Sequence, residues 1–341
     1  MQENQQINSV PVLQIRHSKI VVYNEILNRR SRSEKQRDAE KNLTQGDYNG
    51  YMSRKTKTKV IKMLEIWINS VMNFNRQLKQ ENFNQYVTFV TLTLSEKQKH
   101  DDNYLKRNLL MRFIERVKDV SDMKYYFWRA EPQESGNIHF HLFLDSFVDR
   151  NVIRDIWNNL LKREGYKRSG AATQIHRLEK VQNVTAYVVK YCCKTPPDSE
   201  SKKDEYDEYV KKTRKIQGRI WGCSDQLRNL RPYSELIDSK HSDFITKLDF
   251  DKSVDRYEDP DGDFTVYKVR NVKEVLKKYS EPLFKLFTDY HKNQILELYR
   301  NGLDFQKNMS VLDDLVKDVE IPKPEFVQLS LDFKKRDFCP F

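Results

Sequence analysis

Two histidines one residue apart, His139 and His141, follow a glutamate, Glu131, within YYFWRAEPQESGNIHFHLFLD at 125–145. Two imidazoles and a carboxylate suit a divalent ion that keeps open positions for substrate. Further on, Tyr187 and Tyr191 open two tetrads of the same form, Tyr-Val-Val-Lys190 and Tyr-Cys-Cys-Lys194. On a helix, residues four apart share one face, so both phenols stand one above the other with the two lysines alongside. A phenol has a pKa near ~10 and is a poor nucleophile at neutral pH. Nearby cations and a metal favour its phenolate and neutralise charge on a phosphate in the transition state.

These groups need elements that aim them. The 125–145 stretch reads as a β-hairpin with a Pro-Gln-Glu-Ser-Gly-Asn turn and a second alternating run from Ile138. In that run His139, His141 and Phe143 share one side, and Ile138, Phe140, Leu142 and Leu144 the other. A strictly symmetric six-residue turn pairs Glu131 with Ile138, on the wrong face. A one-residue bulge puts Glu131 opposite His139. Residues 86–94, YVTFVTLTL, read as a strand with Thr91 and Thr93 on one face. Helices are expected over 102–120, 152–163 and 181–194, with a short strand at 173–178. The order β-α-β-β-α-β-α predicts an α+β fold, a ferredoxin-like antiparallel sheet with its two crossover helices on one face.

Three segments in this order resemble the HUH endonucleases, the rolling-circle replication initiators of small phages, plasmids and single-stranded DNA viruses. They are the Thr-rich strand FVTLTL (89–94), His139-Phe140-His141 preceded by Glu131, and the tyrosine helix AYVVKYCCK (186–194). The doubled tyrosine looks most like the microvirus and plasmid initiators. The resemblance spans about a third of the chain, roughly residues 86–195, and extends toward GRIWGCSDQLR. It implies a site-specific nickase and strand transferase for single-stranded DNA, working in the cytoplasm of a bacterial host. Carried over, Glu131, His139 and His141 would bind Mg²⁺ or Mn²⁺. Tyr187 and Tyr191 would attack phosphate in turn, giving a 5′-phosphotyrosine and a free 3′-hydroxyl. Lys190 and Lys194 would assist, and Thr91 and Thr93 would lie beside the substrate. A relaxase or transposase of the same chemistry is the nearest alternative, and a non-catalytic nucleic-acid-binding module of ferredoxin-like shape is the alternative from another class.

The chain of 341 residues carries a net charge of +11, of which residues 1–80 supply +8 from 15 Lys and Arg against 7 Asp and Glu. A basic N-terminal quarter suits a phosphate backbone. Residues 1–50 read as polar and irregular. Ser53 then caps a helix over 54–78 whose start is crowded by Lys55, Lys57, Lys59 and Lys62. Those cations oppose the helix dipole, which points to an anion nearby. Charged residues make up 33% and the mean hydropathy is −0.83. No apolar run approaches the ~18 residues of a membrane span, and no basic-then-apolar leader opens the chain. Cys192, Cys193, Cys223 and Cys339 form no CxxC pair, so a reducing cytosol is expected. No GxxxxGK[ST] occurs, so unwinding would need a host helicase.

The expected organisation is a basic helical region at 1–80, the endonuclease domain at 81–235, an accessory α/β region at 236–320 and an extended tail at 321–341. In the accessory region, 243–270 reads as short strands around an Asp261-Gly262 turn, and 271–299 as a helix divided near Pro282. In the tail, Gln328-Leu329-Ser330-Leu331-Asp332-Phe333 is similar to the hexapeptides that dock on bacterial sliding clamps. Gln328, Leu329, Leu331 and Phe333 would enter the clamp's pocket.

Overall fold

A computed structural model describes residues 9–26, 52–77, 86–178, 184–192 and 214–301. Two five-stranded antiparallel sheets organise them. The first sheet is built from β3 (Thr88–Thr93), β4 (Tyr126–Pro132), β5 (Ile138–Leu144), β6 (Thr173–Arg177) and β7 (Trp221–Cys223), in the order β6-β3-β5-β4-β7. The first four strands have the ferredoxin-like arrangement expected from the β-α-β-β-α-β pattern. The first crossover runs through α2 (Asp102–Leu105), a π-helical turn at Lys106–Met111 and α3 (Arg112–Asp119); the second is α4 (Arg150–Arg163). Both start where an aspartate accepts from the helix backbone: Asp101 from the Tyr104 N–H at 2.9 Å and Asp149 from the Asn151 N–H at 2.8 Å.

Alternation decides which face each helix covers. Val90, Leu92, Phe140 and Leu142 are fully buried, and the ring of Phe140 meets Trp157 of α4, which in turn meets Phe113 of α3. Each such large apolar side chain contributes roughly 2 kcal/mol by leaving water. The opposite face carries Phe89, Thr91, Glu131, His139, His141 and Phe143, and α5 (Val184–Cys192) lies over part of it. The long helix α1 (Arg54–Gln77) packs on α5. It starts at Ser53, whose hydroxyl accepts from the Thr56 N–H at 3.2 Å, and it buries Val60, Leu64, Trp67, Ile68 and Val71. At the far edge β7 pairs with β4, and a Cβ on Gly222 would stand 2.7 Å from the Trp128 indole nitrogen. A side chain there would push the edge strand away.

The N-terminal stretch departs from expectation. Residues 9–26, expected to be irregular, form the strands β1 (Ser9–Ile15) and β2 (Lys19–Ile26). They join β8 (Tyr233–Leu236), β9 (Asp255–Glu258) and β10 (Phe264–Lys268) in the order β8-β1-β2-β10-β9. Val12, Leu13 and Ile15 alternate with polar residues weakly, and their strand partners come from more than 200 residues away, so local pattern could not reveal the pairing. The segment expected as strands from 243 begins instead as a helix, α6 (Ser239–Phe250), held by a capping box between Asp238 and His241. The turn at Asp261-Gly262 is present, with Gly262 at φ 73° and its N–H on the Asp259 carbonyl. The helical stretch is divided as expected, into α7 (Val272–Tyr279) and α8 (Glu281–Asn301). Helices α6, α7 and α8 cover one face of this second sheet through Leu13, Ile15, Phe244, Leu276 and Phe287. A buried ion pair, Arg16 to Glu65 at 3.2 Å, joins the end of β1 to α1. Among the described residues no helix is long and apolar enough to cross a membrane.

One network holds the hairpin tip that carries the histidine strand. Asp102, 2% exposed, accepts from both terminal nitrogens of Arg214 at 2.7 Å and from the Gln217 N–H at 2.9 Å. Arg214 also donates to Gln98 at 2.9 Å and to the Gly136 carbonyl in the hairpin turn. Burial alone would push the Asp102 carboxyl up, but the hydrogen bonds from Arg214, Gln217 and Gln98 outweigh it and lower its pKa. Arg214→Ala is expected to cost about 3 kcal/mol, because a buried carboxylate loses its partner; the lower end of the range applies since the guanidinium is a third exposed. A urea unfolding curve compared with wild type measures it, and a midpoint that does not move refutes the role.

Candidate metal centre and tyrosine helix

The strand register assembles the site. β4 and β5 pair without a bulge, Pro132 opposite Ile138 and Glu131 opposite His139. The expected facing of Glu131 is therefore present for a different reason: β4 runs one residue into the expected turn, and the connection is residues 133–137. Its shape comes from Gly136 at φ 81°, whose N–H donates to the Gln133 carbonyl at 2.9 Å. On the other side of β5, Thr91 stands opposite His141 and Thr93 opposite His139.

Glu131, His139 and His141 offer ligand atoms that all lie within 4.8 Å of one another. The Glu131 Oε2 is 3.6 Å from His139 Nε2 and 3.5 Å from His141 Nε2. His139 Nε2 is shut off from solvent and has no hydrogen-bond partner among the described residues. A buried imidazole nitrogen left in that position, aimed at a carboxylate, is what a divalent ion would satisfy. The donor set of two nitrogens and a carboxylate fits Mn²⁺ or Mg²⁺ with positions to spare.

The surroundings orient these donors. The Thr91 hydroxyl lies 3.1 Å from His141 Nδ1, which leaves Nε2 for the centre. With Nε2 on a metal, Nδ1 carries the proton and donates to Thr91 Oγ1, the usual support of a metal-bound imidazole. Phe89 stacks on the His141 ring at 5.5 Å. Arg129, 3% exposed, brings its Nε to 4.0 Å from Glu131 Oε1 and donates to the Ile220 carbonyl at 3.1 Å. Sequence reasoning singles out neither Arg129 nor Phe89. The signal for Arg129 is its parity: it lies two before Glu131 on an otherwise apolar strand, so it shares the carboxylate's face. Thr91→Val is expected to weaken Mn²⁺ binding by roughly tenfold and Thr91→Ser to restore it. Titration calorimetry reads both, and equal affinities for the two variants would remove Thr91 from the site.

Tyr187 is half-buried on α5. Its ring meets Phe89 edge-on at 5.2 Å and Phe143 at 6.4 Å. Phe89 is thus the shared neighbour of Tyr187 and His141, and the tyrosine helix lies on the face that carries the metal ligands. Lys190 is exposed on the same helix, and Tyr191 belongs to its last turn. Thr93 is half-buried, with its carbonyl accepting from Trp157 Nε1 at 2.8 Å. Lys194 and the tail hexapeptide Gln328–Phe333 lie outside the described residues.

Comparison with known proteins bears on this same segment. None of the curated proteins and none of the solved structures gives a significant match. Residues 87–196 match the family model described as replication-associated protein, of the ORF2 and gene 2 protein type. That span covers roughly a third of the chain, from just before β3 to just past α5. It contains the threonine strand, the Glu/His/His hairpin and the tyrosine helix, so the part of this protein that carries the site is similar to replication-associated proteins.

Proposed function

We propose that this protein is an HUH-type endonuclease that nicks and transfers single strands of DNA, and that it initiates rolling-circle replication. The observation that carries the reading is one sheet face on which Glu131, His139 and His141 converge beneath the helix of Tyr187. The family match across the same residues supports it. A divalent ion at the three ligands would polarise the scissile phosphate. The chain's own groups do the rest. A phenolic oxygen, from Tyr187 or Tyr191, attacks phosphorus and gives up its proton to solvent. The bond from phosphorus to the 3′ oxygen breaks, and that oxygen takes a proton to become a 3′-hydroxyl able to prime synthesis. The phosphate stays on the tyrosine through its 5′ side. The second tyrosine repeats the exchange on the next copy of the site and releases a closed circle. Lys190 offsets charge on the phosphate, and Lys194 is assigned the same task. A host helicase supplying single strands and a sliding clamp binding the tail are parts of the same proposal.

The test is capture of origin DNA. Single-stranded oligonucleotides carrying the protein's own origin and labelled at the 3′ end are incubated with the full chain in Mn²⁺ or EDTA. Label that migrates with denatured protein only with metal establishes the 5′-phosphotyrosine. Tyr187→Phe together with Tyr191→Phe is expected to abolish capture, and each single change to show which phenol acts first. Origin DNA that is bound but never captured leaves a binding module and ends the nuclease reading.

A further inference from the structure

The second sheet has one covered face and one open face. Leu13, Ile15, Ile20 and Tyr267 point into the core under α6, α7 and α8. On the other face the register places Tyr23 opposite Phe264, and Val266 opposite Tyr257. Tyr257 is 50% exposed, Tyr23 and Phe264 are half-buried, and the Tyr257 and Phe264 rings lie 6.1 Å apart. An antiparallel sheet thus presents neighbouring aromatic rings to solvent. Stability gives no reason to leave them uncovered.

A cleft of about 910 Å³ opens beside this face, between the sheet and the first turns of α1. Tyr23, Gln14 and Ser234 form its sheet wall. Lys55, Lys59 and Lys62 come from α1, and Arg228 and Arg231 from the segment between β7 and β8. Five cations meet one carboxylate in the lining, that of Glu25. Arg228 is paired with Asp225 at 3.3 Å. Lys55, Lys59 and Lys62 have no carboxylate partner among the described residues. Burial, together with Arg16, lowers the pKa of Lys62, so an anion in the cleft would relieve a repulsion already present. The cleft also accounts for the lysines that crowd the start of α1 against its dipole.

We propose that the open face of the second sheet and this basic cleft form a platform for single-stranded nucleic acid, with phosphates in the cleft and bases stacked on Tyr257, Phe264 and Tyr23. Alternating cations and aromatics are the chemistry of a strand whose bases are unpaired; a duplex keeps its π-faces stacked inside and offers rings nothing. The platform lies outside residues 87–196, the span similar to replication-associated proteins. The choice of DNA over RNA rests on the nicking function proposed above; the site itself does not.

Fluorescence anisotropy of the full chain with labelled oligothymidylate, in EDTA, tests it without the metal centre. Lys55→Glu, Lys59→Glu and Arg231→Glu together are expected to weaken binding tenfold or more. They should also reduce the slope of log K against log salt by about 2, from three lost phosphate contacts at ~0.7 each. Tyr257→Ala, at a half-exposed ring whose loss leaves the core intact, is expected to weaken binding several-fold. A triple variant that binds as wild type overturns the proposal. So does a mixed-sequence duplex bound as tightly as the single strand with Tyr257→Ala without effect. The two readings fail separately: loss of the nuclease shows as absent metal-dependent capture by wild type with this binding curve intact, and loss of the platform shows as unchanged binding in the variants while capture persists.

Discussion

Replacing both imidazoles, His139→Ala with His141→Ala, is expected to lower Mn²⁺ affinity by a hundredfold or more and to silence metal-dependent chemistry. Changes to groups that merely support a ligand cost ~10–100-fold, so loss of two of three ligands exceeds that range. The same change has a readout independent of DNA. An ion that binds only the folded chain stabilises it by about 2.7 kcal/mol at a hundredfold excess over its Kd. Wild type should therefore melt higher as Mn²⁺ is added, and the double variant should not respond. Glu131→Gln keeps the shape and removes the charge, and should lose most of the same shift. An undiminished response in both variants would place the ion elsewhere and end the assignment of this centre. The expectation follows from the geometry: Glu131 Oε2 stands within 3.6 Å of each histidine's Nε2, and the flanking groups Thr91 and Arg129 hold the donors in place rather than compete for the position.

The second large effect is acid sensitivity set far from that centre. His17 and His291 lie with ring centroids 5.0 Å apart against Phe287, where α8 meets the β1–β2 turn. Neither His17 Nε2 nor either nitrogen of His291 has a hydrogen-bond partner among the described residues. Burial, then the charges of Lys273 and Arg16, push His17 down to about 3. Burial, then His17 and Lys273, push His291 down to about 2. Both rings are neutral in the folded chain and charge on unfolding. Their stabilisation is complete above the unfolded value of about 6.5 and is lost as pH falls toward the folded values. Asp145 opposes this. Burial raises its carboxyl to about 7 against hydrogen bonds from the Tyr125 and Lys124 N–H groups, so its contribution is lost as pH rises from about 3.8 to 7. Two histidines against one aspartate leave a net loss of roughly 1.4 kcal/mol per pH unit on acidification from about 6.5 to 4. Urea midpoints across that range should fall accordingly, and His291→Leu should flatten the slope. A flat profile in wild type would show that these rings find protons or partners in the folded state.

How far the site was legible depends on how local its causes are. The parity of His139 and His141 is a property of any strand, and a four-residue spacing aligns Tyr187 with the second tyrosine position on any helix. The crossover helices follow from apolar period and from aspartate caps at Asp101 and Asp149, which are also local. The facing of Glu131 was not. It depends on whether five or six residues connect the strands, and the answer lies in the Asp102–Arg214–Gly136 network, whose arginine comes from more than 70 residues further on.

Sequence alone thus determined the ferredoxin-like order of the first sheet, the faces of its strands and the kinds of group its site would hold, because those rest on alternation and helical period within a few residues. Tertiary structure alone decided the second sheet. Its first two strands have too little alternation to declare themselves, and their stability comes from pairing β1 with β8 and β2 with β10 across most of the chain. It also decided that the lysines of α1 face Arg228 and Arg231 across a cleft, and that Arg129 stands against Glu131. Those positions depend on contacts between segments remote in sequence, where the loop-closure entropy is offset only by the whole core.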